Sequence, residues 1–212
     1  MLPPPLRARL ALIAVIAVLP VVVLGFMYAG HSQSGAVDRW FVQPTDDSVG
    51  QPWRGIALAT DFLGEPAGAA VLVVAAVAAC LLRRRPRAAV FVVAATGLTV
   101  VTATLLKFLV GRTIHGPENL SYPSGHTAFF TALALVAALL ATGPLGLGRT
   151  AGALLVLGAA LVAGIAMGWA QVALGAHYPT DILGGWCTAV AVVPVTGLLV
   201  DRVAVSGAWK RR

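Results

Sequence analysis

The chain has 212 residues, 58% of them hydrophobic and only 11% charged, with a mean hydropathy of +0.88. A soluble domain carries about 25% charged residues, so this composition excludes an ordinary water-soluble globule and describes a chain built into a bilayer. Cys80 and Cys187 both lie inside apolar runs, which argues against a disulfide framework or a thiolate zinc site, and the net charge of +7 is distributed as membrane topology requires rather than as a nucleic-acid footprint.

Six apolar runs are long enough to cross a hydrocarbon core, at roughly 8–29, 56–82, 88–107, 124–142, 151–171 and 179–200. The first follows Arg7 and Arg9 and is longer than the apolar part of a signal peptide, so it reads as an uncleaved anchor. Between the first two runs, the segment 31–54 is polar and turn-rich, with Pro44, Asp46, Asp47, Gly50 and Pro52. Its Val37–Val42 stretch is expected to form a short interfacial helix, with Trp40 and Trp53 near headgroup level. Pro123 precedes the fourth run and places Ser124 at its N-cap; Pro179 suits the first turn of the sixth. The expected architecture is all-α: a polytopic membrane protein of six transmembrane helices in one bundle, a single domain over 1–212 with its motifs within 107–185.

Of the 15 basic residues, Arg7, Arg9, Arg83, Arg84, Arg85, Arg87, Arg149, Arg202, Lys210, Arg211 and Arg212 fall at one set of loop ends. Only Arg39, Arg54, Lys107 and Arg112 fall at the other. The positive-inside rule then makes both termini cytoplasmic and places a multi-pass protein in the plasma membrane. The loops 30–55, 108–123 and 172–178 share the opposite, extracytoplasmic face. Topology alone therefore brings His126 and His177 to one side of the membrane.

The residues on that face have chemistry in common. A helix start at Ser124-Gly125-His126 offers unpaired N–H groups and a partial positive charge to a phosphate, and Gly125 lets an anion approach the backbone. His126 is placed to donate a proton to a leaving oxygen. His177 and Asp181 are four apart, near neighbours at a helix start, and a carboxylate on one imidazole nitrogen frees the other to attack. Lys107 and Arg112 are cations on the same face, a point charge and a bidentate fork for phosphate oxygens. Each feature has an ordinary structural reading as a helix cap, an interfacial histidine or a snorkelling cation; their convergence does not. His126, His177 and Asp181 are also metal-ligand types, but no His-Glu-x-x-His or paired-cysteine pattern accompanies them, so no metal or other cofactor is expected.

With these residues in place, the chain resembles the type 2 phosphatidic acid phosphatase superfamily, membrane lipid phosphatases related to vanadium haloperoxidases. The family signature is Lys-x6-Arg-Pro, Pro-Ser-Gly-His and Ser-Arg-x5-His-x3-Asp. The second part is complete as Pro123-Ser124-Gly125-His126. The third is complete in its latter half, from His177 to Asp181, followed by Ile182-Leu183-Gly184-Gly185. The first begins at Lys107 and keeps Val110-Gly111-Arg112. The resemblance implies that His177 forms a phosphohistidine, Asp181 orients it, His126 protonates the leaving group, and Lys107, Ser124 and the Gly125 backbone cradle the phosphoryl oxygens. Both signature arginines are absent: Ile114 and His115 stand where Arg-Pro belongs, Ala170 and Gln171 where Ser-Arg belongs. Arg112, Gln171 and His115 are the candidates for replacing their contacts, each worth about 1.5–3 kcal/mol. The expected activity is hydrolysis of a phosphate monoester or diphosphate of a membrane lipid such as phosphatidic acid or polyprenyl (undecaprenyl) diphosphate. The alternatives are transfer to a hydroxyl acceptor and non-catalytic binding of lipid phosphate. The expected partners are the bilayer and its lipid phosphates, with no nucleic acid.

Overall fold

The computed structural model describes residues 6–46 and 49–205; Asp47 and the basic tail Lys210, Arg211 and Arg212 lie outside them. The elements are α1 (Arg7–Met27), α2 (Ala36–Asp46), α3 (Trp53–Phe62), α4 (Pro66–Leu82), α5 (Pro86–Val110), α6 (Gly125–Thr142), α7 (Arg149–Ala173) and α8 (Pro179–Val205). The only β pairing among the described residues is an isolated antiparallel bridge, Thr113 to Leu120. Five helices are long and apolar enough to cross a membrane, and six spans result when the bent pair α3–α4 counts as one. The chain is thus an all-α, multi-pass membrane protein.

The helix ends follow their sequence signals. Pro66 and Pro86 open α4 and α5, where a missing N–H costs nothing. Gly111 closes α5 in the left-handed conformation, at φ 64°. The Ser124 side chain caps α6 by accepting from the Thr127 N–H, and Pro179 begins α8.

The helices α6 and α8 lie at the centre, in contact with each other and with α5 and α7, while α1 packs along α8 and α4 along α5. Leu135, Leu139, Phe91, Val156, Val190 and Val193 fill the core between them. Small residues permit the close approaches, as expected where lipid supplies no competing hydrophobic drive. A Cβ at Gly185 would sit 2.3 Å from the Ser124 carbonyl oxygen, so α6 and α8 touch backbone to backbone there. Gly164 makes room for Trp186, whose indole N–H donates to the Ala160 carbonyl at 2.8 Å. The hydroxyls of Thr96, Thr99 and Thr188 donate to carbonyls one turn back, which satisfies them within the apolar interior. Leu12, Val15, Ile16 and Leu19 of α1 face outward, as lipid contact requires.

The structure corrects the expected elements in two places. The span at 56–82 is not one helix: α3 and α4 meet at 62°, because Gly64 and Pro66 interrupt the helical ladder. The interfacial helix extends beyond Val37–Val42 to Ala36–Asp46, and it is anchored. Trp40 is exposed, as is Trp53 of α3, but Asp38 is completely buried on the inner side of α2.

Candidate active site

The hinge between α5 and α6 is a compact loop. Ser121 N–H donates to the Arg112 carbonyl at 2.7 Å and Ile114 N–H to the Asn119 carbonyl at 3.0 Å, which fold the chain back on itself. Lys107, at the end of α5, donates Nζ–H to the Leu120 carbonyl at 2.6 Å, holding its ammonium over this loop. The α6 cap is bound to the start of α8 through Ser124 N–H and the Asp181 carbonyl, at 2.9 Å. One hydrogen bond thus joins the Pro-Ser-Gly-His segment to the His-x3-Asp segment.

A cavity of roughly 690 Å³ opens beside this junction. Lys107, Gly125, His126, Gln171 and His177 all line it, together with His115, Asn119, Asp61 and Glu65. Its apolar wall is built from Ala69, Val100 and Phe129 of α4, α5 and α6. The two histidines therefore face one space.

Asp181 stands behind His177. Its Oδ2 lies 3.6 Å from His177 Nδ1 and accepts from the Tyr178 N–H at 3.0 Å. The imidazole contact is at ion-pair distance, longer than a hydrogen bond, and it orients Nδ1 toward the carboxylate, leaving Nε2 for the cavity. Burial pushes the His177 imidazole below its ordinary range, with Asp181 opposing and Lys107 and His126 adding to the effect. A neutral imidazole with a free lone pair is what a nucleophile needs.

Arg112 departs from expectation. It does not line the cavity but is fully buried behind it. One terminal nitrogen donates to Asp181 Oδ1 at 2.7 Å and to Thr180 Oγ1 at 2.6 Å; the other donates to Asp38 Oδ2 at 2.7 Å. Its guanidinium lies 4.0 Å from the Tyr28 ring centroid and 4.5 Å from that of Tyr178, a cation–π sandwich. Asp38 also accepts from the Thr180 N–H and hydroxyl, so α2 is pinned to the start of α8. Burial alone would raise the Asp38 carboxyl, but the bonds from Arg112, Thr180 and Gly35 outweigh it and hold the group below its ordinary value. The physical reason for the correction is direct: two buried carboxylates occupy the fork that a phosphate would need.

Ser124 is likewise diverted. It is buried, with its hydroxyl donating to Thr127 Oγ1 while capping α6, and it does not line the cavity. Gly125 does, with open space where a Cβ would be. Of the residues at the missing signature arginines, Ile114 is buried, while His115 and Gln171 reach the cavity. His115 holds φ 59° and its Nε2 pairs with the Gly175 carbonyl at 2.7 Å. The Gln171 amide Nε2–H donates to Asp61.

Asp61 and Glu65 are the cavity residues that motif reasoning missed. They flank the α3–α4 break, with Oδ1 and Oε1 at 3.6 and 3.9 Å from His126 Nε2. Gly64 between them makes the approach possible, since a Cβ there would fall 2.4 Å from His126 Cδ2. The signal was present as Leu63-Gly64-Glu65-Pro66, helix-breaking residues within an otherwise apolar span.

The arrangement matches known proteins in sequence pattern and in shape. A crystal structure described as the first transmembrane PAP2 type phosphatidylglycerolphosphate phosphatase, from Bacillus subtilis, superposes with a TM-score of 0.71 at 20% sequence identity, over 90% of this chain and 96% of that one. At that identity the likeness speaks for the fold. No curated protein sequence matches the chain. The sequence pattern of the PAP2 superfamily matches residues 67–203, from the start of α4 to the end of α8 and across every residue of the histidine cavity except those of the α3–α4 break, and the chain belongs to that superfamily.

Proposed function

We propose that this chain is a membrane lipid phosphatase acting through a phosphohistidine. The observation that carries the reading is the cavity itself, where His177, His126, Lys107 and the Gly125 end of α6 face one space while Asp181 backs the nucleophile. His177 Nε2 attacks the phosphorus, forming a P–N bond as the P–O bond to the lipid breaks. The leaving oxygen takes a proton from His126. Lys107 and the first N–H groups of α6 bear the phosphoryl charge. Water then attacks the phosphohistidine, releasing phosphate and restoring His177.

The apolar wall of Ala69, Val100 and Phe129 supports a substrate whose phosphate is attached to a hydrocarbon chain. The distribution of arginines supports an extracytoplasmic site in the plasma membrane, with both termini cytoplasmic. Within this class the substrate is a monoester or diphosphate such as phosphatidic acid or a polyprenyl diphosphate. A cavity of roughly 690 Å³ exceeds the needs of one phosphate, and this favours a second reading in which a hydroxyl acceptor resolves the phosphohistidine.

The test is a panel of lipid monophosphates and diphosphates presented to the detergent-purified protein, with inorganic phosphate and phosphorylated acceptor both measured. Phosphate release supports the hydrolase, and phosphorylated acceptor alone the transferase. Neither product, with a related phosphatase active in parallel, would sink both.

A further inference from the structure

At the end of the bundle opposite the histidine cavity, α4 and α6 stand apart. The helix α4 packs along α5 and meets α3, and of its 17 residues only Gly68 is buried. Between α4, α5 and α6 lies a second cavity of roughly 400 Å³. Ala76 and Ala79 of α4, Ala88 of α5, and Ala137 and Ala141 of α6 line it. Small side chains on membrane helices usually serve close helix contact. Here they border a gap instead, and its apolar walls exclude water and suit an acyl chain.

The mouth of this cavity is positive. Arg83 and Arg85 line it, at the turn that joins α4 to α5. Arg84, between them, takes the left-handed conformation at φ 54° and does not line it. Among the described residues no carboxylate lines the cavity, and neither Arg83 nor Arg85 is in an ion pair. Asp201, the acid at that end of α8, is bound to Arg7 at 3.3 Å. The counter-ion for the two guanidiniums must therefore come from outside the chain. It is not the substrate's phosphate. At 1.5 Å per residue, α5 separates Arg85 from Lys107 by ~33 Å, about the thickness of the hydrocarbon core. A headgroup at Arg83 and Arg85 sits in the opposite leaflet from a phosphate beside His177.

We propose that this cavity is a lipid site: an acyl chain of an anionic phospholipid lies between α4 and α6, with its phosphate on Arg83 and Arg85. Basic pockets between membrane helices take acidic headgroups in this way. A guanidinium fork pairs with two phosphate oxygens, while the ammonium of a zwitterionic head would be repelled by the second arginine. The occupant is a resident lipid that ties α4 to α6, and the inference does not depend on the phosphatase reading.

The experiment uses the full chain in detergent, stripped of lipid and then given phosphatidylglycerol or phosphatidylcholine with identical acyl chains. Retained lipid is counted by native mass spectrometry. One phosphatidylglycerol per chain is expected, held at least tenfold more tightly than phosphatidylcholine. Arg83→Gln and Arg85→Gln, both at exposed positions, should each weaken that preference and together abolish it. Ala137→Phe, which fills the groove from an exposed position, should weaken the retention of both lipids. Arg149→Gln, at the same end of the bundle but outside the cavity, should change nothing. Equal retention of the two lipids, or a preference lost equally in Arg149→Gln, would reduce Arg83 and Arg85 to general surface charge and overturn the site. Displacement of the lipid by glycerol phosphate alone, or retention undiminished in Ala137→Phe, would leave a headgroup contact with no seat for the chain and overturn it as well.

Discussion

Arg112→Met separates a buried structural cation from a phosphate-binding one. Arg112 makes three charge-assisted bonds of 2.6–2.7 Å, to Asp38, Asp181 and Thr180, and both carboxylates are fully buried. Removing one partner of a buried ion pair costs about 3–5 kcal/mol, most of it the burden of charge left without a counter-ion. For a chain of this length that is a fall in apparent unfolding temperature on the order of 10 °C. The loss should be coupled to Asp38: Asp38→Asn with Arg112→Met removes one stranded charge, and the pair should be less damaging than the sum of its singles by at least ~1 kcal/mol. Cys187 is buried, so in a Cys80→Ser background a thiol-reactive dye followed during a thermal ramp reads the unfolding. The turnover number should fall as well, because Asp181 loses the partner that holds it against His177. A variant that unfolds like the wild type and shows only a raised KM would refute this reasoning and return Arg112 to the phosphate.

His177→Ala should lower phosphate release by at least about 10³-fold, as loss of a nucleophile does, with an unchanged unfolding temperature. Retained activity would remove the phosphohistidine. Because the His177 pKa is lowered by burial, its neutral form should persist below the ordinary imidazole range near 6.5. The acid limb of kcat/KM, corrected for substrate ionisation, should therefore fall below that value; a limb at or above it contradicts the assignment. The stability contribution has the matching sign. The unfolded chain binds the proton more readily, so stability is lost as pH drops through the unfolded pKa toward the folded one. Gly64→Ala places a methyl 2.4 Å from His126 Cδ2 and must displace the ring. A shift of about 1 Å lowers the turnover number by roughly 10²-fold, and a normal rate in this variant would exclude His126 from the chemistry.

Sequence alone carried the spans, the helix caps at Ser124 and Pro179, and the convergence of His126 and His177. These rest on local rules: apolar length, capping chemistry, and the parity of crossings that sends alternate loops to the same face. It also exposed the missing arginines at Ile114 and Gln171, since a motif gap is a matter of counting. Tertiary structure decided where the polar groups of that face point. Arg112 and Lys107 are five residues apart and alike in charge, yet Lys107 enters the cavity and Arg112 does not. The left-handed turn at Gly111 carries Arg112 off the helix and toward Asp38, a residue some seventy positions away in sequence. Ser124 follows the same logic, with a hydroxyl committed to its own cap. Asp61 and Glu65 lie within the run 56–82 that reads as one continuous span, and only the 62° break at Gly64 swings both against His126. Burial and hydrogen-bond satisfaction are properties of the packed bundle, so the assignment of each charge to structure or to chemistry was settled only by the fold.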